Sequence, residues 1–218
     1  MNVESMNVSS MDVEHPAPEM ILLREMRHRV KNDLQVVISL LLLQAAEEPD
    51  AGVRARLRET AERVRSLTLF YDRLSRSGDV GCVEAAAYLR EICARCEAFH
   101  STARRPLRCV VDAEPMWLPI GTASRLGLIV NELVANSCKH IAAAEREVYV
   151  GLSAAPEGGW VLDVSDNGPG LPADLQERRA RSLGLRLVEA IVLQLGGMLC
   201  VHRGRGTRFT ITVPAPAP

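Results

Sequence analysis

Four short segments carry side chains whose types and spacing suit chemistry. The first is Glu25-Met-Arg-His28-Arg-Val-Lys-Asn32-Asp-Leu-Gln35. On a helix turning about 100° per residue, Glu25, His28 and Asn32 share one face. A neutral imidazole nitrogen is a nucleophile near neutral pH, and a carboxylate one turn away can orient the ring. A solvated polar helix face is the plainer reading of the same residues. The second segment is Asn131-Glu132-Leu-Val-Ala-Asn136-Ser-Cys-Lys139-His140. Its amides and carboxylate are oxygen donors suited to Mg²⁺, and its lysine is a point charge for phosphate. Here too an ordinary polar face competes.

The third segment, Asp163-Val-Ser-Asp166-Asn-Gly168-Pro-Gly170, runs a strand into an aspartate and then a glycine turn. Glycine lets backbone approach a ligand closely, and a carboxylate accepts from an exocyclic amine. Asn-Gly turns are common, so the motif alone is weak. The fourth, Ser182-Leu-Gly184-Leu-Arg-Leu-Val188, enters a helix through small residues. A helix N-terminus offers free N–H groups to phosphate. Between them, 172–181 is polar, carries Arg178, Arg179 and Arg181, and reads as a mobile basic loop or a solvated linker.

The periodicity predicts what must position these groups. Residues 18–48 are helical, with a seam at Leu23, Arg27, Val30, Leu34, Val37 and Leu41 and an almost wholly apolar run from Val36 to Leu43. A turn at 47–52 leads to a second helix with Leu57, Ala61, Val64, Thr68 and Tyr71 on one stripe. An antiparallel hairpin of about 60 residues has too little core to stand alone, so two copies are expected to form a four-helix bundle. Beyond Gly81 helices are expected at 83–99, 122–141 and 182–195, with strands at 107–112, 147–153, 160–165, 198–202 and 207–213. The fold class is therefore α+β, divided into a tail (1–17), a hairpin (18–79), an α/β unit (80–214) and a short tail (215–218).

Composition excludes several functions. The 218 residues carry 26 basic and 27 acidic side chains, which gives no basic surplus for nucleic acid. Aromatics are 4%, too few for stacking platforms. No apolar run reaches the ~20 residues that span a bilayer, and no secretory signal is evident. The six cysteines are scattered, and Cys93-Ala-Arg-Cys96 reads as helix packing rather than a metal or redox site. A cytoplasmic location is expected.

Together the four segments resemble the two-component sensor histidine kinases, in the subclass whose phosphoacceptor box reads H-R-V-K-N-x-L-Q. His28-Arg-Val-Lys-Asn32-Asp-Leu-Gln35 matches that box, Asn131–His140 the N box, and Asp166–Gly170 and Ser182–Leu185 the two glycine boxes. Gly204-Arg-Gly206-Thr207-Arg-Phe209 resembles the closing Gly-Thr strand. The resemblance spans about 18–214. It implies a dimerisation and phosphotransfer hairpin followed by a Bergerat-type α/β sandwich of the GHKL class that binds ATP and Mg²⁺. By it His28 is the phosphoacceptor, Asn136 holds Mg²⁺, and Glu132 lies beside the metal and the attacking centre. Lys139 and His140 lie near the phosphates, and Asp166 takes the adenine amine. Gly168, Gly170, Ser182, Gly184 and Thr207 shape the pocket. Asn32 and Glu25 flank the phosphoacceptor. An acidic residue follows that histidine in many relatives, whereas Arg29 does here, which leaves Glu25 as the local proton acceptor. Ala180 and Ser182 stand where the common second box has glycines. The implied partners are a second copy of the chain, a response regulator receiver domain and, since only a tail precedes the hairpin, a separate sensor protein. A phosphotransfer protein with a vestigial ATP domain and an anti-sigma-type serine kinase share parts of this pattern.

Overall fold

Helix α1 (Pro18–Glu47) and helix α2 (Ala51–Arg76) form the hairpin. The computed structural model describes residues 18–76, 81–141, 143, 145–170 and 183–215. Asp50 makes the reversal: its Oδ1 accepts from the Val53 N–H at 2.8 Å, capping α2. The buried positions of α1 are Ile38 and Ala45, with Leu34 and Leu41 half-buried beside them. Ala61 and Thr68 are buried on α2.

Of the expected seam, Leu34 and Leu41 are half-buried within the single chain, while Val30 and Val37 are 37% and 43% exposed on a face that the expected bundle would cover with a second copy. In a run that is apolar all round, periodicity cannot choose which side faces the partner. Val36, Leu40 and Leu43 are also left open to solvent.

The second unit opens with strand β1 (Cys82–Glu84), antiparallel to strand β3 (Trp117–Pro119). Glu84 then caps helix α3 (Ala85–His100), accepting from the N–H groups of Ala86 and Ala87 at 3.0 and 2.6 Å. The sequence pattern started this helix at 83 and gave no strand at 117–119, because a three-residue strand has no period to detect. The main sheet uses β2 (Leu107–Ala113), β4 (Arg146–Ala154), β5 (Trp160–Asp166), β6 (Met198–Gly204) and β7 (Gly206–Val213). Its order is β2-β4-β5-β7-β6, parallel between β2 and β4 and antiparallel elsewhere.

Helices α3, α4 (Ile120–His140) and α5 (Leu183–Gln194) supply the second layer of an α/β sandwich. Alternate residues Val148, Val150, Leu162, Val164, Phe209 and Ile211 meet Leu126, Ile129, Val130 and Leu133 of α4 in one core. Arg146 closes its lower end: the buried guanidinium donates to the carbonyls of His100 and Cys138, near the C-termini of α3 and α4. Cation donors there meet orphan carbonyls and the negative helix ends. Among the described residues no helix is long and apolar enough to cross a membrane.

Helices α3 and α4 approach closely at Gly127, where a Cβ would stand 2.5 Å from Tyr88 Oη and 2.7 Å from Ile92 Cδ1. Gly127→Ala is therefore expected to destabilise the α/β unit by about 1–3 kcal/mol through overpacking. Thermal unfolding of the variant checks this.

Candidate functional site

Asp166 is the last residue of β5, and three elements converge on its carboxylate. Ser137 Oγ of α4 donates to Oδ2 at 2.9 Å. The N–H groups of Gly168 and Thr207 donate to Oδ1 at 2.9 and 3.1 Å. Strand pairing brings Thr207 there, since Arg208 of β7 sits opposite Ser165 of β5. An ionised carboxylate has about four lone-pair sites, so one on Oδ2 remains for an outside donor such as an exocyclic amine.

Two glycines allow the approach. Gly168 lies over the carboxylate, where a Cβ would stand 2.8 Å from Asp166 Oδ1. Gly206 has φ +77°, and a Cβ there would collide with the Asp166 carbonyl. Gly170 meets the β6–β7 turn at Gly204.

The polar side of α4 runs beside this point. Asn136 is half-buried, and its Nδ2 is buried with no hydrogen-bond partner among the described residues. A buried amide without a partner is a donor awaiting an acceptor, as a phosphate oxygen would be. Turned over, the amide offers its oxygen to a hard cation. The residues present therefore fit a nucleotide with its Mg²⁺. No cluster of three or more His, Cys, Asp or Glu able to hold a metal occurs among the described residues.

Glu132 is 2% exposed and accepts from Arg63 of α2 through both carboxylate oxygens, with Nη2 to Oε2 at 3.0 Å and Nε to Oε1 shorter still. Gly184, in the first turn of α5, packs against the same carboxylate, and a Cβ there would collide with Oε2. Lys139 pairs with Glu59 of α2 at 2.9 Å, and His140 is exposed at the helix end. The hairpin thus pairs with two of the five polar residues expected on this face, Glu132 and Lys139.

In α1, Glu25 pairs with Arg29 at 2.5 Å, and both are exposed, as is Asn32. His28 lies within α1 between them, and its side chain is outside the described residues. Ser182, the 171–182 segment with its three arginines, and the 77–80 junction are also outside them.

Sequence reasoning missed Ser137, Arg63 and Glu59. Ser137 was legible only as a small residue on the buried stripe. The other two lie on α2, in a different unit, and no local pattern links them to α4. The thiols behave as packing. Burial pushes Cys138 up to about 11 and raises Cys96 further, while a hydrogen bond with Cys109, then burial, raises Cys93.

Comparison with known proteins agrees with this geometry. Residues 25–100 match the family model described as "Histidine kinase", and residues 121–217 match "Histidine kinase-, DNA gyrase B-, and HSP90-like ATPase". The chain belongs to the two-component histidine kinases with a GHKL-type ATPase domain. It is 31% identical over 199 residues to Blue-light-activated histidine kinase 2 of Erythrobacter litoralis, covering 88% of this chain and 56% of that relative. It is 35% identical over 202 residues to Sensor histidine kinase PdtaS of Mycobacterium tuberculosis, covering 88% of this chain and 39% of that relative. The chain thus spans about half or less of these relatives. In structure it resembles the histidine kinase domain of the Erythrobacter litoralis EL346 blue-light activated kinase, with TM-score 0.67 and 28% identity over 90% of this chain and 94% of that one.

Ser137→Ala removes the hydroxyl donor on Asp166 Oδ2. The expected result is an approximately ten- to hundredfold weaker affinity for ADP, the worth of one hydrogen bond to a charged group. Isothermal titration calorimetry measures it.

Proposed function

We propose that this chain is an ATP-dependent protein-histidine kinase that phosphorylates His28 and passes the phosphoryl group to an aspartate of a response regulator receiver domain. The observation that carries this reading is the Asp166 carboxylate, fixed by three donors with one acceptor site left over, one helix face from the orphan amide of Asn136. An adenine-reading carboxylate beside a phosphate- or Mg²⁺-binding amide is a nucleotide site, and the family supplies the acceptor histidine.

In this reading Asp166 takes the adenine amine, and Gly168, Gly170, Ser182 and Thr207 shape the pocket around it. Asn136 holds Mg²⁺, with Glu132 beside the attacking centre. Gly184, Lys139 and His140 face the phosphates. Bound Mg²⁺ neutralises phosphate charge. A ring nitrogen of His28 bonds to the γ-phosphorus as the bond to the bridging oxygen of ADP breaks. Glu25 receives the proton that the phosphorylated ring sheds, and Asn32 flanks the ring on the other side. Positioning supplies most of the acceleration in such a transfer.

The hairpin serves as the dimer interface. Val36, Leu40 and Leu43 are 59%, 55% and 60% exposed along one side of α1, a patch that a second copy would bury. The chain works in the cytoplasm, where ATP and receiver domains meet.

The test of function is label uptake from γ-labelled ATP and Mg²⁺. His28→Ala should bind ADP like the unaltered chain yet take up no label. Label persisting in that variant, or acid-stable label on serine or threonine, would move the assignment to a serine kinase. Asp166→Asn should weaken ADP binding by about 1–3 kcal/mol, because the outward acceptor becomes part of an amide. An unaltered chain that binds no nucleotide would leave only a phosphotransfer protein.

The interface is tested separately. Leu40→Asp should leave the far-ultraviolet circular dichroism unchanged but convert the chain to a monomer by light scattering. An unaltered chain that is monomeric at micromolar concentration would contradict the interface.

A further inference from the structure

Arg63 belongs to the hairpin, yet its guanidinium lies inside the other unit. It donates to both oxygens of Glu132, which is 2% exposed, and is itself only 19% exposed. Gly184 packs against the same carboxylate oxygen that Nη2 meets, and a Cβ there would lie 3.5 Å from Arg63 Nη2. The described part of α5 begins at Leu183, so Gly184 lies in its first turn beside the guanidinium. The guanidinium also lies along α4 from Asn136, one turn beyond Glu132, whose Nδ2 lacks a partner. A guanidinium at Glu132 and an amide donor one turn further along therefore lie on the same stretch of α4. Both favour anionic oxygen.

A second contact fixes the direction of approach. Glu59, one turn before Arg63 on α2, pairs with Lys139, two turns after Glu132 on α4. The two pairs have opposite polarity across the helices, so α2 docks on α4 in one register. That register delivers Arg63, and no other described residue of α2, to Glu132.

We infer that Arg63 is a further catalytic residue of the phosphoryl transfer, supplied by the hairpin to the terminal phosphate of the bound nucleotide. This rests on the nucleotide reading of the Asp166 site. When the triphosphate enters, Arg63 turns from Glu132 to the γ-phosphate. Its planar fork matches phosphate oxygens as it matches a carboxylate. Glu132 is released toward the attacking centre and Mg²⁺. The exchange ties two events together: the hairpin that carries His28 must be docked for the γ-phosphate to meet its arginine, and the arginine leaves its carboxylate only when that phosphate is present. Mobile charge of this kind in phosphoryl transfer stabilises the oxygens of the leaving and transferred groups.

The discriminating measurement compares ADP with a non-hydrolysable ATP analogue, by calorimetry on the full chain with Mg²⁺. Arg63→Ala should leave ADP affinity within about twofold and weaken the triphosphate analogue about 10- to 100-fold, the range for a charge-assisted hydrogen bond. Arg63→Lys should recover part of the difference, since it keeps the charge and loses the fork. Removing Arg63 alone strands a buried carboxylate, so Arg63→Ala combined with Glu132→Gln provides the variant with neither charge. It should lose affinity for the triphosphate about 10- to 100-fold relative to Glu132→Gln by itself, with no such difference for ADP. Equal losses for both nucleotides, or no loss for either, would overturn the role of Arg63 and make the pair a structural tie. Failure of the unaltered chain to bind ADP would instead overturn the nucleotide reading beneath it.

Discussion

In the proposed reading Asp166 takes the adenine amine, and a carboxylate with that task has to be held still, a requirement around which the α/β unit is organised. Asp166 meets it through donors from three elements: a hydroxyl from α4, an amide from the turn after β5, and an amide from the start of β7. Each donor needs its own element in place. Ser137 requires α4 packed on the sheet, and Thr207 requires the β5–β7 register. Gly206 at φ +77° requires a residue without Cβ where the strands close. The core beneath, from Leu126 to Leu133 on α4 and from Leu162 to Ile211 on the sheet, holds those elements in register.

The second constraint links the units. A carboxylate as buried as Glu132 is costly alone and tolerable with a bidentate guanidinium. Its partner comes from 69 residues away, in a helix of the hairpin. Docking of α2 on α4 is therefore part of how the α/β unit satisfies its own interior, and separating the units exposes Glu132 to water or leaves it unpaired. A transfer that needs both units together can draw on this coupling, because the same pair reports whether the hairpin is seated.

Much of this was legible in the sequence, for identifiable reasons. The Asp166–Gly170 turn and the Asn136 face are local motifs, and local motifs survive without a fold. Strand and helix assignments held within a few residues where the periodicity was long, as at 122–141 and 160–165. Three things escaped. Which α1 residues face α2 was not legible because the run 36–43 is apolar on every side, and burial of Ile38 and Ala45 follows from α2, not from α1 alone. Ser137 looked like packing because a hydroxyl on a buried stripe has no distinguishing pattern until Asp166 is brought beside it. Arg63 and Glu59 looked like surface charges on a solvated helix, which is what most such residues are; only the docked helix gives them partners.

The central claim is that a nucleotide held by the Asp166 site phosphorylates a histidine of the hairpin. Its most direct measurement is the chemistry and position of the phosphoryl group after the full chain is incubated with γ-labelled ATP and Mg²⁺. A phosphoimidazole is labile in acid and stable in alkali, and peptide mapping at alkaline pH should place it at residue 28. Label that survives acid, or that maps to any residue other than His28, would contradict the account.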